Sequence, residues 1–327
     1  IQVGVLGAGT FASSVLLPEL SGQEAVELQS VCTRTGLSAK QASERFGFEE
    51  ATSNPEELFS DPQLDALVVA TRHDTHAEYV LQGLSAGKHV FTEKPLCLDP
   101  EELAEISELL AARPDHGGSQ DPPLVLVGSN RRFAPLTAKL KPRFSEAEKP
   151  LSVVYRVNAD PLPEDHWIYD REVGGGRVIG EVCHFVDWIQ HLVGARPERV
   201  TAEATRGGER RRADEDVEVT VSFSDGSTGT VHYQVVGDRG MPKERIEVFG
   251  NRRSAVLEDF RNGVVYGPGG KERLSRAVLP SQEKGHAEEL EAFVEAIQSG
   301  GGSPVPESEA LRSTEVTFVA EKSLQTG

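Results

Sequence analysis

Cysteine, methionine and tryptophan are scarce in this chain of 327 residues, with three, one and two respectively. Cys32, Cys97 and Cys183 are odd in number and widely separated, which excludes a disulfide framework and leaves no zinc-ligand spacing. Reduced thiols in a cytoplasmic protein are the expectation, and no metal site is expected. No apolar run approaches the roughly 20 residues that span a bilayer. Cations are short as well: 34 Lys and Arg stand against 52 Asp and Glu, a net charge of −18. That balance argues against nucleic acid and anionic membrane surfaces as partners, but by itself it names no small-molecule substrate. Ile1 opens directly on a strand-like run and not on a secretory leader. The missing initiator Met leads us to expect a tag, a pro-segment or an upstream domain before residue 1.

What is present fits two folded domains, with 38% hydrophobic and 26% charged residues in an ordinary globular mixture and no internal repeat. Residues 1–128 alternate strands and helices. Strands are predicted at Val3–Leu6, Val26–Cys32, Leu64–Ala70, His89–Phe91 and Leu124–Val127, in short apolar runs of the kind buried on both faces of a parallel sheet. Asp99, Pro100 and Glu102 read as the N-cap, first residue and capping-box acid of a helix carrying Leu103, Ile106 and Leu110. Asp115–Asp121 reads as a polar loop. Over 129–327 the period changes to two. Val217, Val219, Val221 and Phe223 alternate up to Asp225-Gly226, and Gly229, Val231, Tyr233 and Val235 alternate on the return, predicting an antiparallel hairpin. Ser152–Val157, Val200–Ala204, Arg245–Phe249 and Ala255–Leu257 are further strands of that sheet. Arg210-Arg211-Arg212 reads as a solvated loop, and Ala287–Ile297 and Glu307–Leu324 as helices. The fold class is therefore a Rossmann-type parallel-sheet α/β domain followed by an α+β domain with a mostly antiparallel open sheet.

The chemistry starts at the first turn. Gly7 and Gly9 follow a strand, and Thr10, Phe11 and Ala12 open a helix whose free N–H groups and dipole can face a pyrophosphate; Ala12 stands where a third glycine is usual. An acid at the end of the second strand would bind the ribose 2′-hydroxyl of NAD. Thr33 and Arg34 stand there instead, which leans toward NADP over NAD, Arg34 otherwise being a solvated loop residue. Downstream, Val178, Val182, Phe185, Ile189 and Leu192 form one stripe of a helix at about 100° per residue, placing Glu181, His184, Trp188 and His191 on its flank and Asp187 opposite. His184 so placed suits proton transfer near neutrality. Cys183 beside it points away, so a thiol–imidazole pair is not expected. His73 and His76 lack a third metal ligand nearby.

Taken together, Gly7-Ala8-Gly9 with Ala12, Ala70-Thr71 with His76-Ala77-Glu78, Glu93-Lys94-Pro95, and Gly174-Gly175-Gly176 with His184 resemble the family of glucose–fructose oxidoreductase, inositol dehydrogenase and the rhizopine-catabolism dehydrogenases. Gly285-His286, Glu288-Glu289 and Ser323–Gly327 extend the likeness to the end of the chain. Gly174–Phe185 resembles members fused behind a zinc alcohol dehydrogenase-like domain, which would make residue 1 the start of a second half.

The resemblance implies an NAD(P)-dependent oxidoreductase that exchanges a hydride between nicotinamide and a carbinol carbon of a sugar, polyol or nucleotide sugar. In its terms Lys94 contacts the cofactor ribose and the reacting hydroxyl, where a cation stabilises developing alkoxide, and His184 is the acid/base. It further implies a cis Lys94-Pro95 bond, cofactor contacts from Thr71, His73, His76, Glu93, Asn130 and Trp167, and a homo-oligomer. This chain departs at Gly180, where most of the family has an aspartate; either Glu181 replaces it as a catalytic acid or the missing acid marks a different substrate. Two other outcomes stay open: redox-assisted elimination or imine reduction at the same site, and a cofactor-binding module without turnover.

Overall fold

The computed structural model describes residues 1–113, 122–145, 150–205, 215–275 and 282–326. The expected loop Asp115–Asp121 and the run Arg210-Arg211-Arg212 lie outside the described residues. The chain divides into two compact units, Ile1–Gly128 with His286–Leu311, and Ser129–Gly285 with Arg312–Gly327.

In the first unit, strands β1 (Gln2–Leu6), β2 (Glu27–Cys32), β3 (Glu50–Thr52), β4 (Ala66–Val69), β5 (His89–Thr92) and β6 (Val125–Val127) form one all-parallel sheet in the order β3-β2-β1-β4-β5-β6. Parallel neighbours require crossovers, supplied by helices such as Gly36–Phe46 and His76–Ser85. Strand β4 is apolar because both its faces are covered: Ala66, Leu67, Val68 and Val69 are all fully buried. The capping assignment of Pro100–Ala111 holds, with Glu102 N donating to Asp99 Oδ1 at 2.9 Å and Leu98 N to Glu102 Oε2 at 2.8 Å. Strand β3 had no sequence signal, for Glu50-Ala51-Thr52 is short and polar.

The second half was expected to run unbroken over 129–327. Instead, helix His286–Ser299 belongs to the first unit, packing Phe293 edge-on against Phe91 at 5.9 Å, and Ser303 Oγ donates to Val125 O at 2.8 Å. Helical periodicity identifies an apolar face without saying which sheet it covers, so chain adjacency misassigned this segment.

The second unit is built on strands β7 (Ser152–Asn158), β8 (Pro197–Ala204), β9 (Val217–Phe223), β10 (Thr228–Gln234), β11 (Glu244–Gly250), β12 (Arg253–Glu258), β13 (Asn262–Gly267) and β14 (Gly270–Arg273), in the order β14-β13-β12-β11-β7-β10-β9-β8. All pairs are antiparallel except β7 with β10. The Asp225-Gly226 hairpin forms as its alternation predicts. β13 and β14 were not predicted; one is interrupted by glycine and the other is fully exposed, so neither shows apolar alternation. Helix Cys183–Val193 packs on the inner face, with Phe185, Trp188, Ile189 and Leu192 against Tyr155, Val219, Val231 and Tyr233.

Under that helix lies a buried charge cluster. Arg131 donates through Nε and Nη2 to the two oxygens of Glu244 at 2.8 and 3.0 Å, Lys284 Nζ donates to Oε1 at 2.7 Å, and Tyr155 Oη to Oε2 at 2.5 Å. Burial alone would raise the Glu244 pKa, but Arg131 and then Lys284 outweigh it and hold the carboxyl well below the usual range. Its contribution to stability is therefore full above the unfolded carboxylate value, about pH 4.3, and is lost as acidification approaches the native value. Glu244→Ala strands two buried cations, so we expect a loss of about 3–5 kcal/mol, read as a fall in denaturant midpoint. A loss below about 1 kcal/mol would mean that solvent screens the cluster.

Candidate active site

Four strand ends of the first unit, those of β1, β2, β4 and β5, carry the residues singled out by sequence. Reversal of strand order between β1 and β4 opens a crevice at their carboxyl ends, where doubly wound sheets take their ligands. At β1, Gly7 has φ +96°, donates its N–H to Cys32 O at 2.8 Å, and leaves no room for a side chain: a Cβ would lie 2.5 Å from Ala70 O. The turn is thus pinched between the ends of β2 and β4. Gly9 differs, because a Cβ there would meet nothing within 4 Å. Packing does not require glycine at 9. The helix over 10–21 follows, exposed at Thr10 and Phe11 and buried at Ala12. Its Ala12–Leu16 stretch widens to a π turn, Leu17 N–H reaching back to Ala12 O. The next residue, Pro18, cannot donate, and the wider turn relieves the clash of its ring with the preceding turn. The residues fit a dinucleotide.

At the end of β2, Arg34 is exposed and Thr33 Oγ1 sits 2.6 Å from Ser38 Oγ, beside the N-cap Thr35 of helix Gly36–Phe46. Beyond β4, Thr71 Oγ1 lies 2.7 Å from Thr75 Oγ1, and His73 is buried with its ring 5.6 Å from that of His76. At β5, Glu93 N donates to Val69 O at 2.8 Å, Lys94 is half-buried and Lys94-Pro95 is cis, as the resemblance implied. The Glu93 carboxylate lies against Gly128 at the end of β6, where a Cβ would come within 3.0 Å of it.

Two expected cofactor ligands are used otherwise. His76 is fully buried, with Nδ1 2.7 Å from Pro95 O and Nε2 3.3 Å from Thr71 O, so its ring engages main chain. Asn130, buried in the second unit, donates Nδ2 to Lys284 O at 2.8 Å. Both are polar residues next to a ligand-bearing turn, and sequence alone does not separate holding that turn from touching the ligand.

In the second unit, His184 is half-buried on helix Cys183–Val193, its ring 6.3 Å from that of Phe185. The helical wheel needs correction here. Val178–Val182 is a π turn, so 100° per residue does not carry across to Cys183. Trp188, assigned to the flank, is fully buried and donates Nε1 to Thr137 Oγ1 at 2.9 Å. Asp187, assigned to the opposite face, is buried in a bidentate pair with Arg132. Glu181 is committed on both oxygens: Oε1 accepts from Arg177 Nη1 at 2.6 Å and Oε2 from Tyr233 Oη at 2.7 Å. Arg177 is itself buried and also donates to Asp160 O at 2.8 Å. Sequence reasoning passed over Arg177, although an arginine four residues before an acid on a predicted helix is a recognisable pairing signal. His191 accepts from Lys141 Nζ at 3.2 Å, and burial, Arg132 and Lys141 push its pKa down to about 3, so it is neutral. Trp167 is half-buried in the short turn Trp167–Tyr169, its ring 5.6 Å from that of His166.

Strand order, pinched glycine turn and helix entry together define a dinucleotide-binding oxidoreductase. Comparison with known proteins agrees. The model of an oxidoreductase family with an NAD-binding Rossmann fold matches residues 1–116, and that of the GFO/IDH/MocA C-terminal domain matches residues 149–256. The chain belongs to the GFO/IDH/MocA family of NAD(P)-dependent oxidoreductases. It is 27% identical to myo-inositol 2-dehydrogenase of Thermotoga maritima over 334 residues, covering 99% of this chain and 96% of that one. Its fold is similar to that of levoglucosan dehydrogenase in complex with NADH and levoglucosan (TM-score 0.83, 20% identity, 99% and 97% of the two chains). It is also similar to that of a 3-ketoreductase from Actinomadura kijaniata in complex with NADP and TDP-benzene (TM-score 0.81, 22% identity, 99% and 97%).

The two glycines should separate folding from binding. Gly7→Ala should cost about 2–4 kcal/mol of stability through its positive φ and the clash at Ala70. Gly9→Ala should melt like the parent yet bind NADPH roughly tenfold or more weakly, the worth of one charge-assisted hydrogen bond. Unchanged NADPH affinity in Gly9→Ala would remove the phosphate assignment.

Proposed function

We propose that this chain is a dehydrogenase or reductase of a sugar, polyol or nucleotide sugar, with Lys94 as the polarising cation and His184 as the acid/base. The observation that carries the reading is the Glu93-Lys94-Pro95 turn, which ends β5 in a chain whose family includes inositol and levoglucosan dehydrogenases. The nicotinamide, when bound, supplies the hydride exchange. Gly7, Gly9 and the helix N–H groups of Thr10, Phe11 and Ala12 hold the pyrophosphate. Lys94 Nζ attracts electron density on the substrate oxygen and lowers the cost of its alkoxide character. His184 takes or returns the hydroxyl proton. Glu181, tied to Arg177 and Tyr233, acts through a fixed negative charge near His184 and does not itself shuttle protons. Thr71, His73, Glu93 and Trp167 complete the cofactor environment.

NADP is favoured over NAD because Thr33 and Arg34, and not an acid, follow β2 in the chain, with the Thr33 and Ser38 hydroxyls beside them. A cytoplasmic homo-oligomer completes the reading. The outer face of the second sheet supports it, since Phe249 and Tyr266 are exposed there beside the half-buried Val154, Val256 and Val264. The direct test is a panel of inositols, anhydro sugars and nucleotide sugars with NADP or NAD, followed by nicotinamide absorbance. Turnover of at least one polyol or sugar is expected; tight cofactor binding with none would identify a cofactor-binding module.

Arg34→Ala should weaken NADP binding roughly ten- to a hundredfold, the worth of a charged hydrogen bond of about 1.5–3 kcal/mol, and leave NAD binding nearly unchanged. Equal losses for both cofactors would sink the assignment.

His184→Asn should lower turnover by roughly 10²–10⁴-fold with little change in cofactor affinity. Lys94→Met should abolish most turnover and weaken cofactor binding modestly. The double variant should lose far less than the product of the two, because both groups act on one event. Fully multiplicative losses would mean that they act independently.

A further inference from the structure

His76 opens the helix His76–Ser85 and has no exposed surface. Three segments meet at its ring: its own helix, the turn after β4 and the turn after β5. Nδ1 lies 2.7 Å from Pro95 O and Nε2 lies 3.3 Å from Thr71 O. Both neighbours are carbonyl oxygens, which only accept, so the ring must donate. Burial lowers its pKa, the two carbonyls oppose that, and the Lys94 cation adds to the lowering. The ring is therefore neutral with one N–H, and the shorter contact assigns that proton to Nδ1.

The partner of this proton is the residue that follows Lys94. The ladder of β5 stops at Thr92, with Glu93 N–H still donating to Val69 O at 2.8 Å, and Pro95 has no N–H with which to anchor itself. An apolar side chain would fill the space of His76 with no polar group to desolvate. What imidazole adds is a donor of fixed direction aimed at one carbonyl, while the His73 ring, 5.6 Å away, packs against it.

We propose that His76 is a positioning residue that holds the Pro95 carbonyl and so fixes the turn from which the Lys94 side chain is aimed. This rests on the reading of Lys94 as the polarising cation. An aiming error of about 1 Å costs roughly a hundredfold in an oriented reaction, which sets the scale of what such a brace protects.

Two isosteric substitutions isolate the donor. His76→Asn keeps an amide N–H near the Nδ1 position, whereas His76→Gln carries its amide to the Nε2 position and removes the donor to Pro95. The full chain without cofactor is reductively methylated with ¹³C-formaldehyde, and the Lys94 signal is assigned as the one missing from Lys94→Met. His76→Gln should shift the Lys94 signal; His76→Asn should leave it in place. NADPH affinity, read by quenching of protein fluorescence, should stay within about threefold in both, since Gly7–Ala12 is untouched. With a substrate from the panel, kcat per NADPH-binding site should fall roughly 10- to 100-fold in His76→Gln and only a few-fold in His76→Asn. An unmoved Lys94 signal in His76→Gln overturns the proposal, as does equal displacement in both variants, which would indicate a role of volume alone. Should His76→Gln fail to fold, the Asn variant decides: a Lys94 signal in place supports the brace, and a displaced one overturns it. If Lys94→Met keeps its turnover, the cation assignment falls instead, while the Lys94 signal still judges the brace.

Discussion

The 2.5 Å that would separate a side chain at residue 7 from the Ala70 carbonyl sets the geometry of the first unit. Strands β1 and β4 are neighbours in register, and Ala70 N–H donates to Leu6 O at 2.7 Å. The chain leaving β1 must therefore turn at once, and only a residue without Cβ can take φ +96° against that carbonyl. Because the turn is so tight, the helix over 10–21 starts directly above the crevice between β1 and β4. Beyond the ends of β4 and β5, the His76 ring lies within hydrogen-bonding distance of both Thr71 O and Pro95 O. A looser turn at Gly7 would move the helix over 10–21 away from the ends of β2 and β4.

Most of the architecture was legible in the sequence because it rests on two periodicities. Fully apolar strands flanked by helices gave the parallel sheet, and strict alternation over Val217–Phe223 gave the open one. The elements that escaped, β3, β13 and β14, are short, polar, glycine-bearing or exposed, and hydrogen bonding forms them without apolar burial. The return of His286–Ser299 to the first unit escaped for a different reason. Amphipathic pattern records that a face is buried, and the partner surface is a property of the whole chain.

The candidate site was legible where backbone geometry dictates residue type. Gly7 illustrates this, since the required φ and the absent space both name glycine. It was less legible on the helix that carries His184. A wheel drawn at constant angle put Trp188 on the flank and Asp187 opposite, yet both are buried, one against Thr137 and the other against Arg132. The π turn over Val178–Val182 breaks the angular arithmetic at the very residues whose chemistry was in question. Polar residues inside such a unit, Arg131, Asp187 and Glu244 among them, are invisible to hydrophobic patterning because each is buried only by virtue of its partner.

That last point bears on how a histidine or asparagine beside a cofactor turn should be read. His76 and Asn130 have the residue types of ligands and the positions of ligands, and both direct their polar atoms to main-chain carbonyls. A side chain that touches a cofactor needs an exposed polar atom before the cofactor arrives, and a fully buried imidazole has none. For His76, full burial is what marks the bracing role proposed for it, and no spacing in the sequence encodes it. Thr10 and Arg34 are exposed at the first unit's strand ends, and Lys94 is half-buried. In the proposed roles, the half-buried Lys94 reaches the substrate oxygen and the fully buried His76 holds the turn that supports it.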